Sequence, residues 1–421
     1  VEGVVTTSSI VKVMDTAPTN RQQAGHQWPL DGLRGLASLA VVMAHFGGIF
    51  YPAAVFGSSF QAHSSVESWC WRSPLILLSH GELAVCIFFV LSGYVLTFKD
   101  VAETQNSRSR ALLNMLKRPV RLGGMVLCMM FLSFGLNLLG SYKIEETALL
   151  TGSERYVDGS LEFGTWLRGF LQEALLSPFS SGYKYDPPLW TIRYELWGSW
   201  VVFGVLLCAP HPSWRMGLCL VLLPVFYGSY IQGMILGMLL ARASQMPWFG
   251  KFVGRAWGAM VLLAISLPLC CYPYYIRKYS PEDFASSFYG SWPALGGLAG
   301  SWCMAGAFIV VAVLVQWGAD LPAGLRGFFT WLGKLSFSLY AVHFIVLASL
   351  AAQVYMALRQ HGFGHHSAAG GAFACTLSGL FAISWILWRC VDVPSIQISR
   401  KLSGWVALRF QIGRAPAANG A

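Results

Sequence analysis

Arg34 and His45 stand at opposite ends of one apolar stretch, eleven positions apart. That interval is close to three turns at 3.6 residues per turn, so a helix would carry both on one face, about 16 Å apart along its axis. Ionisable groups so deep in an apolar helix are costly and face the interior of a bundle. A cation at the mouth suits a phosphorylated donor, and a neutral imidazole inside suits removal of a proton from an attacking hydroxyl. A snorkelling arginine and one packed histidine would give the same spacing. A second cationic pair, Arg118 and Arg121, is spaced i, i+3 around Pro119. Proline suits a first helical turn, which predicts a helix beginning near Val120 whose flanking arginines and free N–H groups attract an anion. An ordinary basic border at a membrane surface reads the same way.

Arg193 and Glu195 lie within another apolar run. At i and i+2 they do not face each other, so each is free to pair with a different span. Counting 1.5 Å per residue puts Glu195 roughly 9 Å, and His45 and His343 roughly 8–11 Å, from the same border, which allows one polar layer of the three. Ser92 and Gly93 interrupt a bulky span and read either as a helix-packing notch or as substrate contact. Ser92 lacks the Gly-x-Ser-x-Gly setting of a nucleophile. His80 and Glu82 fall where they could line an entrance, and His361, His365 and His366 read as a solvated loop. Ten cysteines show neither a CxxC pair nor Cys/His metal spacing, so no metal site is expected; most read as small apolar residues, with one disulfide left open.

These residues need a membrane scaffold. Of 421 residues 55% are hydrophobic and 11% charged, against about 25% charged in soluble domains. Runs near the ~20 residues that cross a bilayer recur at Leu33–Phe50, Leu77–Phe98, Val120–Leu139, Leu189–Cys208, Ala256–Tyr274, Leu295–Gln316, Phe328–Leu350 and Gly371–Val391. Trp214–Leu240, interrupted by Pro224 and Gly228, reads as two short spans. The expected fold is an all-α polytopic transmembrane helical bundle of about ten spans. Residues 1–28 form an expected disordered cytoplasmic arm, 29–400 the membrane domain and 401–421 a cytoplasmic tail; Gly140–Pro188 reads as a loop. The arm lacks the apolar core of a signal peptide. The net charge of +10 is dispersed between apolar runs, which points to membrane topology and not to nucleic acid. With both termini cytoplasmic, about 20 of the 29 Lys and Arg fall on the cytoplasmic side, most densely at Lys99–Arg121 and Arg389–Arg414.

Six ordered segments carry a resemblance. Leu30-Asp31-Gly32-Leu33-Arg34-Gly35-Leu36 leading to His45 resembles the opening motif of the acyltransferase 3 family of integral membrane O-acyltransferases. Gly81-Glu82-Leu83-Ala84-Val85 with Phe88 to Tyr94, then Arg118-Pro119-Val120-Arg121, resemble its second and third. Pro188-Leu189-Trp190-Thr191-Ile192-Arg193-Tyr194-Glu195, Leu332-Gly333-Lys334-Leu335-Ser336-Phe337-Ser338-Leu339-Tyr340-Ala341-Val342-His343 and Val391-Asp392-Val393-Pro394 resemble the rest. Phe337 departs from the family's usual Tyr, and Glu82 sits where charge is unusual. The fourth motif is most similar to fungal members. Some bacterial members add a hydrolase-like domain after the last span, where only a short tail follows here, so no second, soluble transfer step is expected.

The resemblance implies acyl transfer from a cytoplasmic donor, acyl-coenzyme A, to a hydroxyl of a small metabolite, glycoside or lipid, as in secondary metabolism. It implies donor contacts at Arg34, Arg118, Arg121, Ser92, Gly93 and Tyr94, catalysis by His45 as general base with Glu195 orienting it, and an acceptor pocket including Trp190, Arg193 and His343. Acyl-coenzyme A enters as co-substrate and no bound cofactor is expected; the bilayer and the acceptor are the other partners. A transporter or flippase for acylated metabolites is the rival reading, weakened by the absence of an internal repeat. The charge asymmetry makes a topological prediction: tags on both termini should be protected in sealed right-side-out vesicles, and cleavage of a C-terminal tag alone from outside would refute the even number of spans.

Overall fold

The computed structural model describes residues 28–102, 107–156, 186–209, 211–293, 295, 301–316 and 321–410. Of the arm expected over residues 1–28 only Trp28 is described, and it opens the first helix; the last part of the tail also lies outside these residues. Helices make up the architecture and no strand occurs among the described residues. The helices that matter for the site are α1 (Trp28–Phe50), α2 (Gly81–Ala102), α3 (Ser107–Leu138), α4 (Ile144–Thr151), α5 (Trp190–Cys208), α6 (Pro212–Val225), α7 (Tyr230–Ala243), α8 (Ala256–Cys270), α9 (Ser301–Gln316), α10 (Ala323–Val346), α11 (Ala352–Gln360), α12 (His365–Leu387) and α13 (Val393–Arg409).

Six of the described helices are long and apolar enough to cross a membrane, and the chain is an integral membrane protein. Three of the six are composite, one of them Ala256–Tyr279, in which α8 is followed by the short helix Tyr274–Tyr279. A π turn at Leu347–Ala351 joins α10 to α11, and another at Trp388–Asp392 joins α12 to α13, so single helices run over Ala323–Gln360 and His365–Arg409. The expectation of ten spans is matched only in part. The ambiguous stretch is two helices, α6 and α7, broken at Gly228 with φ +74°, and both are shorter than a full crossing, as is α9. Large side chains such as Phe131, Leu138, Trp257, Met260 and Trp385 are exposed. In a bilayer such faces meet lipid, with no hydrophobic penalty for exposure.

Three sequence expectations fail locally. The helix carrying Arg118 does not begin at Val120 but at Ser107, with Pro119 inside it. A proline there cannot donate to the carbonyl four residues back. That carbonyl belongs to Met115, and the Trp200 indole N–H of α5 donates to it at 3.3 Å. A donor from a neighbouring helix thus replaces the missing bond. Second, the segment after α3 is not only loop. It contains α4 and a short 3-10 turn, Glu154–Tyr156. Similarly, α13 carries helix to Arg409, into the stretch expected to be tail.

Two backbone-to-backbone crossings organise the bundle. On α1 and α10, a Cβ added to Gly35 would strike Leu332, and one added to Gly333 would strike the Asp31 carbonyl and Cβ. On α2 and α7, a Cβ at Gly93 would strike the Met234 carbonyl, and one at Gly237 the Val90 carbonyl and Tyr94 amide. Small residues are what permit helices to approach so closely in apolar surroundings. All ten cysteines are free thiols, so the disulfide left open by the sequence does not form.

The Gly93 crossing can be tested with Ala. Gly93→Ala should cost about 1–3 kcal/mol by overpacking, read as a lowered melting temperature of detergent-purified protein. Gly123→Ala, in α3 where an added Cβ meets nothing within 4 Å, should leave melting unchanged or slightly raised. Equal melting of the two variants would show that the α2–α7 approach tolerates a methyl group.

Candidate active site

The interlock of α1 with α10 brings the two membrane histidines together. The His45 and His343 rings lie 5.1 Å apart between centroids, and Phe344 meets His45 edge-on at 5.3 Å. His343 is fully buried. Its Nδ1 is 2.6 Å from the Tyr340 carbonyl oxygen. A carbonyl only accepts, so the proton sits on Nδ1 and Nε2 is a bare lone pair. That Nε2 is buried and has no hydrogen-bond partner. Buried polar atoms left this way are uncommon and mark places where a ligand or solvent group completes the bonding. His45 is half-buried, and its Nδ1 lies 3.2 Å from the Tyr156 hydroxyl.

Tyr340, its ring 5.6 Å from that of His343, leads into an aromatic cluster. Trp190 packs on Tyr194 and Tyr230, and Phe88 on Tyr340, with centroids 5.0–5.7 Å apart. Tyr340 Oη donates to the Pro188 carbonyl at 2.9 Å and lies 2.9 Å from Thr191 Oγ1, which pins the start of α5 against α10. Arg193 lies over the Tyr194 ring, 5.9 Å from its centroid.

The second cluster lies towards the N-terminal mouth of α1. Glu195 Oε1 accepts from Ser92 Oγ at 2.8 Å and from Arg118 Nη2 at 3.0 Å. Arg118 is 7% exposed and its Nε is buried without a partner. Arg34 lies within electrostatic reach of Arg121, Asp31, Glu195 and Asp392, and Asp392 within reach of Arg121 and Arg34. Three arginines from two helices therefore converge with carboxylates from three. The π turn that carries Asp392 is where its helix departs from regular winding, a common setting for functional residues.

The site residues read from sequence thus divide in two. The single layer of His45, Glu195 and His343 does not form. Glu195 engages Arg118 and Ser92, while the imidazole of His45 engages Tyr156. Axial counting gives depth along a helix but not which neighbour a side chain turns towards. Gly93 faces the α7 backbone, the packing notch of its two readings. Tyr94 is buried, stacked near Phe98 at 5.3 Å. Of the entrance residues, His80 Nε2 donates to the Tyr272 carbonyl at 2.8 Å and its Nδ1 accepts from the Leu83 amide, capping α2. Both Glu82 carboxylate oxygens lie 3.0 Å from Tyr230 Oη. His365 stacks on His63 at 3.6 Å instead of lying in a free loop. Among the described residues no group of three or more His, Cys, Asp or Glu is arranged to hold a metal. Tyr156 and Asp392 were not singled out as site residues. Asp392 lay in a motif already quoted, whereas Tyr156 lay in a stretch read as loop.

The acyltransferase 3 family model, described as an acyltransferase domain, matches residues 29–389. The chain belongs to the acyltransferase 3 family. The match takes in both histidines and all three arginines. The acyltransferase clz18 of Cochliobolus lunatus is 24% identical over 403 residues, covering 77% of this chain and 84% of that protein. No solved structure matches the chain.

The arrangement separates two roles for the arginines of this acyltransferase 3 protein. Removing one partner of a buried pair costs roughly 3–5 kcal/mol because the other charge is stranded. Arg118→Ala should therefore lower the melting temperature sharply, and adding Glu195→Gln should restore much of it. Arg121→Ala should leave melting nearly unchanged. Equal thermal effects of Arg118→Ala and Arg121→Ala would remove the structural role given to the Arg118–Glu195 pair.

Proposed function

We propose that this protein transfers an acyl group from acyl-coenzyme A, on the cytoplasmic side, to a hydroxyl of a small metabolite, glycoside or lipid, inside the membrane. One observation carries the reading. His45, its ring 5.1 Å from that of His343 between centroids, stands eleven residues along α1 from Arg34, which lies within electrostatic reach of Arg121. The roughly 16 Å between Arg34 and His45 leaves room for a long donor arm between phosphate and thioester. Arg34 and Arg121 hold the donor phosphates. Arg118, tied to Glu195, shapes the cluster and offers its unpartnered Nε. Ser92 and Glu195 position that arginine, and Tyr94 lies on the same helix behind them.

The step balances without a further reactant. The acceptor hydroxyl gives its proton to Nε2 of His45 as its oxygen attacks the thioester carbon. The carbon–sulfur bond breaks, and the coenzyme A thiolate takes the proton back from the imidazolium. The products are an ester and free coenzyme A. His343, with Nε2 bare, accepts a hydrogen bond from the acceptor, and Trp190 and Arg193 line the acceptor's approach. Both termini lie in the cytoplasm in this reading, which the distribution of positive charge supports.

Two measurements test it. Comparing metabolites by mass before and after gene deletion should reveal a pair differing by one acyl group, and no such pair would sink the reading. His45→Gln keeps polarity and approximate size but cannot act as a base near neutrality. General base catalysis supplies about 10²–10⁴-fold, so turnover should fall to the percent level or below while donor binding survives. A well-folded His45→Gln enzyme with full turnover would leave His45 as a packing residue.

A further inference from the structure

Tyr156 comes from outside the first span, yet it reaches the proposed base. The last carbonyls of any helix lack partners within the helix. At the end of α1 the segment after α3 supplies them. Thr151 Oγ1 donates to the Ile49 carbonyl at 2.6 Å, and Ser153 Oγ donates to that of Gly48. The other end of the segment is tied down as well, because the Lys143 amide donates to the Ala348 carbonyl at 3.1 Å. Ala348 lies in the first π turn. Three bonds thus seat α4 and its 3-10 turn between α1 and the α10–α11 helix.

The seat leaves Tyr156 6% exposed, with its ring 6.1 Å from that of Phe344. Its hydroxyl is 3.2 Å from His45 Nδ1. Gly48 makes the approach possible, because a Cβ there would come within 2.9 Å of the Tyr156 oxygen. Burial pushes the Tyr156 hydroxyl up to about 12, with Arg155 pulling the other way, so it is a neutral phenol at any working pH. Its oxygen has two lone pairs. One can take an N–H of Arg155, which hydrogen-bonds it. The hydroxyl also lies within hydrogen-bond distance of His45 Nδ1, where either atom can be the donor.

We propose that Tyr156 is a positioning residue for the proposed base: its phenol oxygen accepts from His45 Nδ1–H, which fixes the ring and leaves Nε2 bare for the acceptor proton. The assignment rests on the reading of His45 as base. It gives His45 the same tautomer that the Tyr340 carbonyl imposes on His343, so both rings present bare Nε2 atoms. A nearby group that holds one ring nitrogen and thereby selects the other is a general device for histidine bases. It also joins the chemistry to the segment that caps α1, so the base is oriented only when that segment is seated.

The tautomer can be read without any substrate. Full-length protein in detergent or bilayers carries ¹⁵N-labelled histidine, nine residues in all, and His45→Gln identifies the His45 signals. Wild type should show protonated Nδ1 and bare Nε2 at His45, and Tyr156→Phe should show a mixture of tautomers. Protonated Nε2 in wild type, or an unchanged tautomer in Tyr156→Phe, would overturn the proposal. A kinetic arm uses acetyl-coenzyme A as probe donor and an extract of deletion-strain metabolites as acceptor, reading thiol release. Loss of one neutral hydrogen bond should lower the maximal rate roughly five- to tenfold, with the half-saturating donor concentration unchanged. A rise in that concentration with the rate preserved would also overturn it. Full turnover by His45→Gln would defeat the base reading alone, because the spectra still report whether Tyr156 orients the ring.

Discussion

The crossing of α1 on α10 is the constraint from which the site follows. Gly35 and Gly333 remove the atoms that would hold the two backbones apart, and the helices then meet near Asp31 and Leu332. From that point both helices run in step towards His45 and His343, whose rings come within van der Waals range of each other's surroundings. A methyl group at either glycine would wedge the helices at one end and spread the histidines at the other. The two glycines flank the most chemically loaded stretches of sequence because they set the geometry those stretches need.

A second dependency runs through charge. In apolar surroundings an unpaired ion is expensive, and the site answers by pairing most of its ions with one another. Arg118 and Glu195 are joined directly, and Arg34, Arg121, Asp31 and Asp392 share one field. The cluster is therefore organised before any ligand arrives. An anionic ligand would meet at least one arginine, Arg118, already held in place, and would lose less conformational freedom on binding.

How much of this the sequence discloses depends on whether the cause is local. The spacing of Arg34 and His45 is a property of one helix, and the helix forms. The glycines and histidines sit in short motifs and are found where the motifs place them. The helix α3 runs through Pro119, where local pattern predicts a start, because the lost hydrogen bond is made good by Trp200, some eighty residues later. The spacing sets Glu195 level with the histidines, whereas it lies with Arg118 and Ser92 towards the mouth of α1, because counting along a helix from an assumed border fixes neither that border nor the neighbour a side chain meets. Tyr156 carries no local signal, because it reaches His45 from a polar segment through a docking that depends on carbonyls at the end of another helix. Short helices such as α6, α7 and α9 blur the count of spans, because length alone does not say how far an element enters a bilayer.

The π turn at Trp388–Asp392 has a consequence for how relatives are compared. Such a turn accommodates one residue more than the α-helical repeat, and each residue of an α-helix advances the winding by about 100°. Asp392, the last residue of that turn, lies within electrostatic reach of Arg34 and Arg121. A chain shorter by one residue here would keep its composition, its hydropathy and its motif spelling, and would still align with a single gap. Yet everything from Val393 to Arg409 would be turned by about a quarter circle, presenting a different set of side chains to α3. A one-letter gap at this place is a rotation of a helix, and carries more information than the substitutions around it.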